Sequence, residues 1–175
     1  RVLIGDSKKI MPYKSRACFN RDSWVWDGVK FSILSPSKKG RFSGNNASCV
    51  LKITNGKDSI LLPGDIEFDA ESLLVKNHGA NLKSSVLVAP HHGSSTSSTS
   101  GLIKAVKPKY VIFSTGYRNR FRFPHKKVIK RYIRSGSILL NTPKTGSITF
   151  KFGDKSDILS VERYRDKHKR FWNEI

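Results

Sequence analysis

Acidic residues are scarce in this chain. Its 175 residues contain 13 Asp plus Glu against 33 Lys plus Arg, which leaves a formal net charge of +20. The excess is concentrated after residue 103, where 19 basic and 5 acidic side chains lie, against 14 and 8 before it. Such a balance favours a polyanionic partner, with plain solubility or proximity to anionic lipid as the alternatives, and the second half is the expected contact surface.

Long apolar runs and closely spaced cysteines are also missing. No stretch approaches the roughly 18 to 20 apolar residues of a membrane-spanning helix, and RVLIGDSKKI at the start lacks the layout of a secretion signal. We therefore expect a soluble chain, and its first residue, Arg1, indicates a processed protein or a piece of a longer one. Cys18 and Cys49 form no CxxC motif, which argues against a cysteine zinc site. The sequence leaves open a disulfide, in an exported domain, and two buried thiols, in a cytosolic one.

What the sequence does contain is an alternation of short β-type runs with helical segments. With 37% hydrophobic residues it suits one compact domain with a core. Several runs are apolar throughout, which predicts strands covered on both faces, and Asn55-Gly56 between two runs predicts a hairpin. The pattern as a whole predicts an α/β domain with a mixed sheet. The predicted strands begin at Ser23, Ser48, Ser59, Ser85, Tyr110, Ser137 and Ser147, and the predicted helices at Ile66, Ser100 and Pro124.

The stretch LLPGDIEFDAE carries the first candidate site residue. An apolar strand is predicted to end at Gly64-Asp65, with a helix following. A carboxylate at the end of a buried strand is held rigidly and can bridge or bind divalent metal ions. The alternative is a helix N-cap, for which Asp is a preferred residue.

The stretch VLVAPHHGSSTSS carries the second candidate. Its apolar strand delivers His91 and His92 to a loop at the same sheet edge as Asp65, where α/β domains carry their sites. Adjacent residues in an extended chain point in opposite directions, so one imidazole of the pair is expected to face a metal. The alternative is a pair of loop histidines bonded to backbone. A Ser-His-Asp hydrolase with Ser94 or Ser95 as nucleophile is the weakest hypothesis, because no GxSxG motif is present.

The stretch GYRNRFRFPHKKVIKRYIR, from Gly116 to Arg134, alternates cations with aromatic rings ahead of a basic helix. Cations bind phosphates and exposed rings stack on unpaired bases, which is the pattern expected for single-stranded nucleic acid. His125, near the helix start, is a candidate for the metal site or for a phosphate contact. In the alternative interpretation the basic face is merely solvated and the apolar members belong to the core. Those members are Phe121, Phe123, Val128, Ile129 and Tyr132.

Together these stretches resemble the C-terminal metallo-β-lactamase-like domain of the ComEC/Rec2 DNA-internalisation proteins, the inner-membrane channels of natural competence. The resemblance implies an α/β fold with αββα layers and a mixed sheet, of which residues 1–175 would be the C-terminal portion. It also implies two divalent metal ions, Mn²⁺ or Zn²⁺, at the strand ends and no small organic cofactor. The matching stretches are SWVWDGVKFSIL, NNASCVLKI, SILLPGDIE, VLVAPHHGSSTSS, VKPKYVIFSTGYRNRFRFPH and TPKTGSITF.

The resemblance assigns roles position by position. The implied catalytic residues are Asp65, His92 and His125. The implied metal ligands are Asp65, as the bridging carboxylate, with His91 or His92. The implied DNA-binding residues are Arg118, Asn119, Arg120, Arg122, Lys126 and Lys127.

Two departures from the family bear on activity. The segment NRFRFPH stands where the family commonly reads NRxGHPH, with Arg122 for Gly and Phe123 for the first His. The HxHxDH-type motif, which supplies the densest ligand cluster of metallo-β-lactamase folds, does not occur between Arg1 and Ile175. Asp65 with one histidine cannot close a catalytic metal site, which needs about three protein ligands. We therefore expect the chain to be the second half of the domain and inactive alone.

The resemblance also implies a compartment and a function. Such domains face the periplasm, where a disulfide between Cys18 and Cys49 would be favoured. The implied function is binding of incoming, single-stranded DNA as part of the membrane channel protein, whose remainder is the implied partner. Metal-dependent phosphodiester hydrolysis would degrade the strand that is not imported. The alternative is a DNA-binding or gating module that keeps the fold without hydrolysis, while a hydrolase of a small phosphate ester fits the charge poorly.

Overall fold

The computed structural model describes residues 2–4, 15–38, 42–153 and 158–169. Short strands alternate with helices along the second half of these residues. The strands are β1 (Val2–Ile4), β2 (Ser15–Ala17), β3 (Ser23–Trp26), β4 (Val29–Ser35), β5 (Val50–Thr54), β6 (Ser59–Leu62), β7 (Val86–Val88), β8 (Tyr110–Phe113), β9 (Ile138–Asn141), β10 (Ile148–Phe152) and β11 (Ile158–Arg163). The α-helices are α1 (Phe68–His78), α2 (Ser100–Val106), α3 (Lys126–Arg134), α4 (Thr142–Thr145) and α5 (Tyr164–Lys167).

Strands β3 to β9 form one seven-stranded sheet in chain order. Its first part is antiparallel, from β3 to β6, and its second part is parallel, from β6 to β9. Parallel neighbours need a crossover, and α1, α2 and α3 supply the three crossovers in turn. Strands β1 and β2 form a separate parallel pair, and β10 and β11 form an antiparallel hairpin. The predicted α/β class with a mixed sheet is confirmed.

The crossover helices cover one face of this sheet. Leu61, Leu87 and Val111 occupy equivalent positions on β6, β7 and β8, and all three side chains are fully buried. They belong to one core with Leu74 of α1 and Val128 of α3. Burial of each aliphatic side chain contributes about 1.5–3 kcal/mol to the free energy of folding. This core therefore holds the parallel strands, and the turns at their ends, in place.

The opposite face of the parallel strands is apolar as well. Ile60, Val86 and Tyr110 lie in register across β6, β7 and β8. The ring of Tyr110 packs edge-on against Phe150 of β10, with 5.5 Å between ring centroids. Residues on both faces of these strands therefore need apolar side chains, which is why the sequence shows continuous runs rather than alternation.

Two hairpins differ in detail from the sequence prediction. The run from Ser23 is two strands, β3 and β4, joined by Asp27-Gly28, both of which have positive φ. Asp-Gly is a preferred pair for a two-residue hairpin turn, so the sequence carried this signal too. The predicted hairpin at Asn55-Gly56 is confirmed, but its loop spans the four residues between Thr54 and Ser59.

The helix starts also differ. Helix α1 begins at Phe68 with Glu67 at the N-cap position, so the alternative that Asp65 is an N-cap is wrong. Helix α3 begins at Lys126 rather than at Pro124, and His125 caps it. None of the helices in the described residues combines the length and the apolar character needed to cross a bilayer.

A disulfide joins Cys18 to Cys49, with 6.1 Å between the two Cα atoms. It connects the residue after β2 to the residue before β5, and Cys18 is fully buried. Cys49 follows Ser48, whose side chain contacts the loop that carries Asp65. The crosslink therefore closes a loop next to the candidate site.

Candidate metal and nucleic-acid site at the sheet edge

Asp65 lies in the turn that follows β6. Gly64 precedes it with φ +62°, and a Cβ atom at Gly64 would lie 2.8 Å from the Cβ of Ser48. The backbone N–H of Asp65 donates to Ser48 Oγ at 3.1 Å. The glycine thus lets the turn pack closely against the Ser48 loop, and the Asp65 carboxylate remains about half exposed at the sheet edge.

The two histidines follow β7 at the same edge. They lie in a tight turn, Pro90–Gly93, in which His91 and His92 both have left-handed backbone conformations, with φ +46° and +57°. The backbone N–H of His91 donates to the carbonyl of Gly64 at 3.1 Å, which ties the ends of β6 and β7 together. Left-handed backbone costs free energy in residues other than Gly, and such strain is found most often at functional sites.

His92 and Asp65 meet across this edge. His92 Nε2 lies 3.5 Å from Asp65 Oδ1, and both side chains are about half exposed. His92 Nδ1 lies 2.7 Å from the carbonyl of Ser114, at the end of β8. Because a carbonyl only accepts, Nδ1 carries the proton of the neutral ring and Nε2 presents its lone pair toward the carboxylate. A lone pair and a carboxylate repel, and a metal ion between them would relieve that repulsion.

His91 pairs instead with Glu67. His91 Nδ1 lies 3.1 Å from Glu67 Oε1, which also accepts from Thr96 Oγ1 at 2.6 Å. The sequence analysis did not single out Glu67. The sequence offers no periodic signal for it, because Asp65 lies in a turn and Glu67 at the start of α1. Of the two histidines, His92 is the one that the structure places next to Asp65.

The carboxylate of Asp65 and the imidazoles of His91 and His92 are chemical groups that bind divalent metal ions in proteins. An imidazole with its second nitrogen bonded to a carbonyl or a carboxylate is the usual arrangement of a metal-binding histidine, and His91 and His92 both show it. The described residues contain no group of three His, Cys, Asp or Glu side chains that could enclose an ion. Asp65 and His92 could provide two of the roughly three protein ligands that a catalytic metal site needs.

A Ser-His-Asp triad is contradicted by the geometry. The Ser94 hydroxyl is buried and pairs with Thr96 Oγ1 at 3.0 Å. His92 contacts Ser114 and Asp65 through its two nitrogens. A triad places the imidazole between a serine hydroxyl and a carboxylate, and here a backbone carbonyl takes the position of the serine.

The arginine loop, residues 116–125, follows β8 next to this edge. Arg118 and Arg120 are exposed, and their guanidinium carbons lie 5.2 Å and 4.7 Å from the ring centroids of Tyr117 and Phe121. Arg122 is exposed as well. Cations and rings are therefore presented together to solvent, as binding of a single strand requires.

Asn119 forms hydrogen bonds within the arginine loop. Its amide nitrogen donates to the carbonyls of Gly116 and Phe123, at 3.3 and 2.8 Å, and its amide oxygen accepts from the Phe123 N–H at 2.9 Å. These bonds brace the loop internally. A direct contact of Asn119 with DNA stays a prediction.

The aromatic residues of this segment divide between core and surface. Val128 and Tyr132 are fully buried, as the core interpretation predicts for the helix. Phe121 is 60% exposed and stacks on Phe123, with 5.5 Å between ring centroids. Phe123 also contacts the imidazole of His91 edge-on, at 5.8 Å between centroids. The Phe123 ring therefore joins the arginine loop to the histidine turn.

His125 caps helix α3. Its Nδ1 accepts from the backbone N–H of Lys127 at 3.3 Å, so the proton of the neutral ring lies on Nε2. A protonated Nε2 can donate to a phosphate oxygen but cannot bind a metal. Lys126 and Lys127 follow in the first helical turn and are exposed. Cations are unfavourable at a helix N-terminus unless an anion is bound there, so this turn suits a phosphate.

Glu71 of α1 fixes the loop that follows the histidines. Its fully buried carboxylate accepts from the N–H groups of Ser98 and Thr99, at 2.5 and 2.8 Å. Arg131 of α3 donates to the carbonyls of Ser97 and Ser98, at 3.1 and 3.0 Å. Burial raises the pKa of Glu71, and the hydrogen bonds and the charge of Arg131 oppose that rise.

Comparison with known proteins places the chain among competence proteins. No family model matches. Competence protein ComA of Neisseria gonorrhoeae is 41% identical over 151 residues, which are 85% of this chain and 22% of ComA. Recombination protein 2 of Haemophilus influenzae is 34% identical over 163 residues, 93% of this chain and 20% of that protein. ComE operon protein 3 of Bacillus subtilis is 35% identical over 133 residues, 76% of this chain and 17% of that protein.

The chain thus spans about a fifth of the length of the curated relatives it matches. Within that fifth, identity of 34 to 41% extends over most of the chain. The resemblance seen in the sequence is confirmed: the chain belongs to the ComEC/Rec2 family of competence proteins.

Proposed function

We propose that this chain is the DNA-contacting part of an inner-membrane channel protein for DNA uptake, on the periplasmic side of the membrane. The remainder of the channel protein is its partner, and incoming DNA is its ligand. The Cys18–Cys49 disulfide supports the periplasmic side, because disulfides persist in oxidising compartments. The net charge of +20 supports a polyanionic ligand.

One observation carries the proposal. The paired Asp65 and His92 lie at the end of parallel strands, and the cation-rich arginine loop leaves the adjacent strand at Ser114, the residue that orients His92. A metal-binding pair and a phosphate-binding loop are thus joined through one residue. This arrangement suits hydrolysis of a phosphodiester bond in the DNA strand that is not imported.

The residues of this chain take distinct parts in the proposed reaction. Asp65 and His92 would hold a divalent ion, Mn²⁺ or Zn²⁺, with ligands from outside the described residues. Such an ion supplies an activated water and stabilises charge that develops on the phosphate. Arg118, Arg120 and Arg122 bind neighbouring phosphates and orient the scissile one. His125 donates from Nε2 to a phosphate oxygen.

A second candidate function is a binding or gating module without hydrolysis. It is favoured by Phe123, an apolar ring where the resemblance leads us to expect an imidazole. In that case the chain contacts the strand during passage and the metal pair is a structural remnant.

Cleavage assays separate the two functions. The complete protein as the cell makes it is incubated with end-labelled single-stranded DNA and Mn²⁺ or Zn²⁺. Hydrolysis predicts metal-dependent cleavage that Asp65→Ala abolishes while DNA binding is retained. Asp69→Ala is the matched control, since it removes an exposed carboxylate from the first turn of α1. DNA binding of normal affinity without cleavage at any metal concentration supports the module.

Binding itself is tested by salt dependence. Affinity for DNA is expected to fall steeply with salt, because each phosphate contact releases counterions. Arg120→Ala is expected to weaken binding by a similar factor for all base sequences, since it contacts phosphate rather than base edges. Affinity independent of salt would overturn the proposal of a DNA-binding function.

A further inference from the structure

A cleft of about 1080 Å³ opens between the arginine loop and the turn formed by α4. Among the described residues that line it, five are cations and none is a carboxylate. Like charges around one cleft repel, and an anion in the cleft relieves that repulsion. Three of the cations belong to the arginine loop and two come from elsewhere in the chain: Arg118, Arg120, Arg122, Lys144 and Arg165.

Lys144 and Arg165, here called the second wall, face the loop from the other side of the cleft. Lys144 lies in α4 and is exposed, while Arg165 lies in α5 and donates to the carbonyl of Pro143. Gly146 follows α4 with φ +71°, and a Cβ there would lie 3.2 Å from Arg165 Cγ. The close packing at Gly146 holds α5 against the α4 turn, so the two cations belong to one fixed surface.

The cleft adjoins the histidine turn through two contacts, one of which leads to the Asp65–His92 pair. Thr115 lines the cleft directly after Ser114, whose carbonyl accepts from His92. The N–H of Thr115 donates to Thr142 Oγ1 at 3.0 Å, which fixes this backbone to the start of α4. Phe123 lines the cleft as well, and its ring contacts the imidazole of His91.

We propose that Lys144 and Arg165 are phosphate-binding residues, and that the sugar-phosphate backbone of a single DNA strand runs between them and the arginine loop toward the Asp65–His92 pair. This inference rests on the proposed DNA-binding function and adds to it a second set of phosphate contacts. The charge of the sequence points to the second half of the chain but does not single out these two residues, which lie outside the arginine loop.

The rings select the strand form. Tyr117 is 53% exposed and Phe121 is 60% exposed, each under the guanidinium of a neighbouring arginine. Exposed rings gain by stacking on bases whose faces are free, and bases in a duplex already stack on their neighbours. Cations on both sides of the cleft neutralise the backbone while the bases turn toward the rings. A single strand satisfies both requirements, and a duplex satisfies only the first.

The test measures binding of fluorescein-labelled oligothymidylate to the complete protein over a range of salt concentrations. Each phosphate contact with a single strand contributes about 0.7 to the slope of log affinity against log salt. Lys144→Ala is expected to reduce that slope by about 0.7. Lys76→Ala, which removes an exposed lysine from α1, is the matched control and is expected to leave it unchanged. Arg165→Lys keeps the positive charge but removes the planar guanidinium, and it tests whether phosphate binding depends on that group.

Each outcome decides between the two proposals. A slope lowered by Lys144→Ala and not by Lys76→Ala, with weaker binding to a duplex of equal length, supports the second wall. If Arg120→Ala lowers the slope while Lys144→Ala behaves like Lys76→Ala, the second wall is overturned and DNA binding stands. If wild-type protein binds no oligonucleotide, both fail. Equal affinity for the duplex overturns the assignment to a single strand. Lys144 is exposed, so its variant folds, and a thermal melt of each variant verifies this.

Discussion

His92 Nε2 lies 3.5 Å from Asp65 Oδ1, although the two residues lie on turns that follow different strands. The contact forms because β6 and β7 are parallel neighbours, whose carboxyl ends lie at one edge of the sheet. The Ser114 carbonyl holds the far side of the ring and so fixes which nitrogen faces the carboxylate. Under the proposed function, both acceptors are already in place for a divalent ion.

We predict that Asp65 and His92 bind a divalent ion together. Calorimetric titration of the complete protein with Zn²⁺ or Mn²⁺ should give an affinity that falls by at least about tenfold in Asp65→Asn and in His92→Gln, because loss of even an indirect partner has that effect. Asp69→Asn removes a carboxylate from the first turn of α1 and should leave the affinity unchanged. Equal affinity in all four proteins would show that the ion binds elsewhere.

Gly93 is predicted to be required for the histidine turn. It has φ +82°, and a Cβ would lie 2.8 Å from Pro124 Cβ and 2.9 Å from the Phe113 ring. Gly136 has a similar φ of +78° and open space around it. Gly136→Ala therefore measures the cost of the left-handed backbone alone, without a steric clash. Gly136→Ala should lower the free energy of unfolding by about 1–2 kcal/mol. Gly93→Ala should lower it by about 1–3 kcal/mol more, from the clash. Chemical denaturation measures both values. If the two variants lose the same free energy of unfolding, Pro124 and Phe113 can move away from the added Cβ atom without cost.

Glu71 should make stability depend on pH. Burial raises its pKa above the ordinary value of 4.5, so the folded state holds the proton more tightly than the unfolded state. The free energy of unfolding therefore falls as pH rises from the ordinary pKa through the raised one. Wild type should lose stability relative to Glu71→Gln across that interval.

Glu162 is the opposite case, because Lys167 and Lys151 lower its pKa. Wild type should lose stability relative to Glu162→Gln as pH falls. The same slope in both comparisons would contradict this account.

The disulfide should stabilise the fold that carries Asp65. It closes a loop with a sequence separation of 31, for which the chain-entropy estimate is roughly 3–4 kcal/mol. Reductant should lower the free energy of unfolding of the wild type by that order. It should have no effect on a Cys18→Ser, Cys49→Ser double variant. If reductant does not change the free energy of unfolding of the wild type, the two sulfurs are not joined in solution.

The sequence was sufficient to predict that Asp65 and the histidines share one edge. Apolar runs identified the strands, and helices between them required parallel neighbours, from which the convergence follows. It could not decide between His91 and His92, because alternation in an extended chain says nothing about a turn with two left-handed residues. That choice depends on the carbonyl of Ser114, which only the fold brings near His92.

The sequence could not predict contacts between distant segments for the same reason. Lys144 and Arg165 join the cleft through the packing of α4 on α5, which no local pattern records. Asn119 fits a DNA-binding pattern by composition, and the fold adds hydrogen bonds to Phe123 that no local pattern records. Side-chain type predicts which chemistry is available, and the fold decides whether a group is left free to perform it.

In the proposed function, the arginine loop and the Asp65–His92 pair form one site for a single DNA strand. Photocrosslinking with an oligonucleotide that contains 5-bromouracil, followed by mass spectrometry of the digested protein, identifies the residues that contact the strand. Adducts are expected on Tyr117, Phe121 and Phe123. Trp24 and Trp26 of β3, which are 40% and 73% exposed, serve as the comparison. Adducts confined to those two tryptophans, with none on the arginine loop, would contradict it.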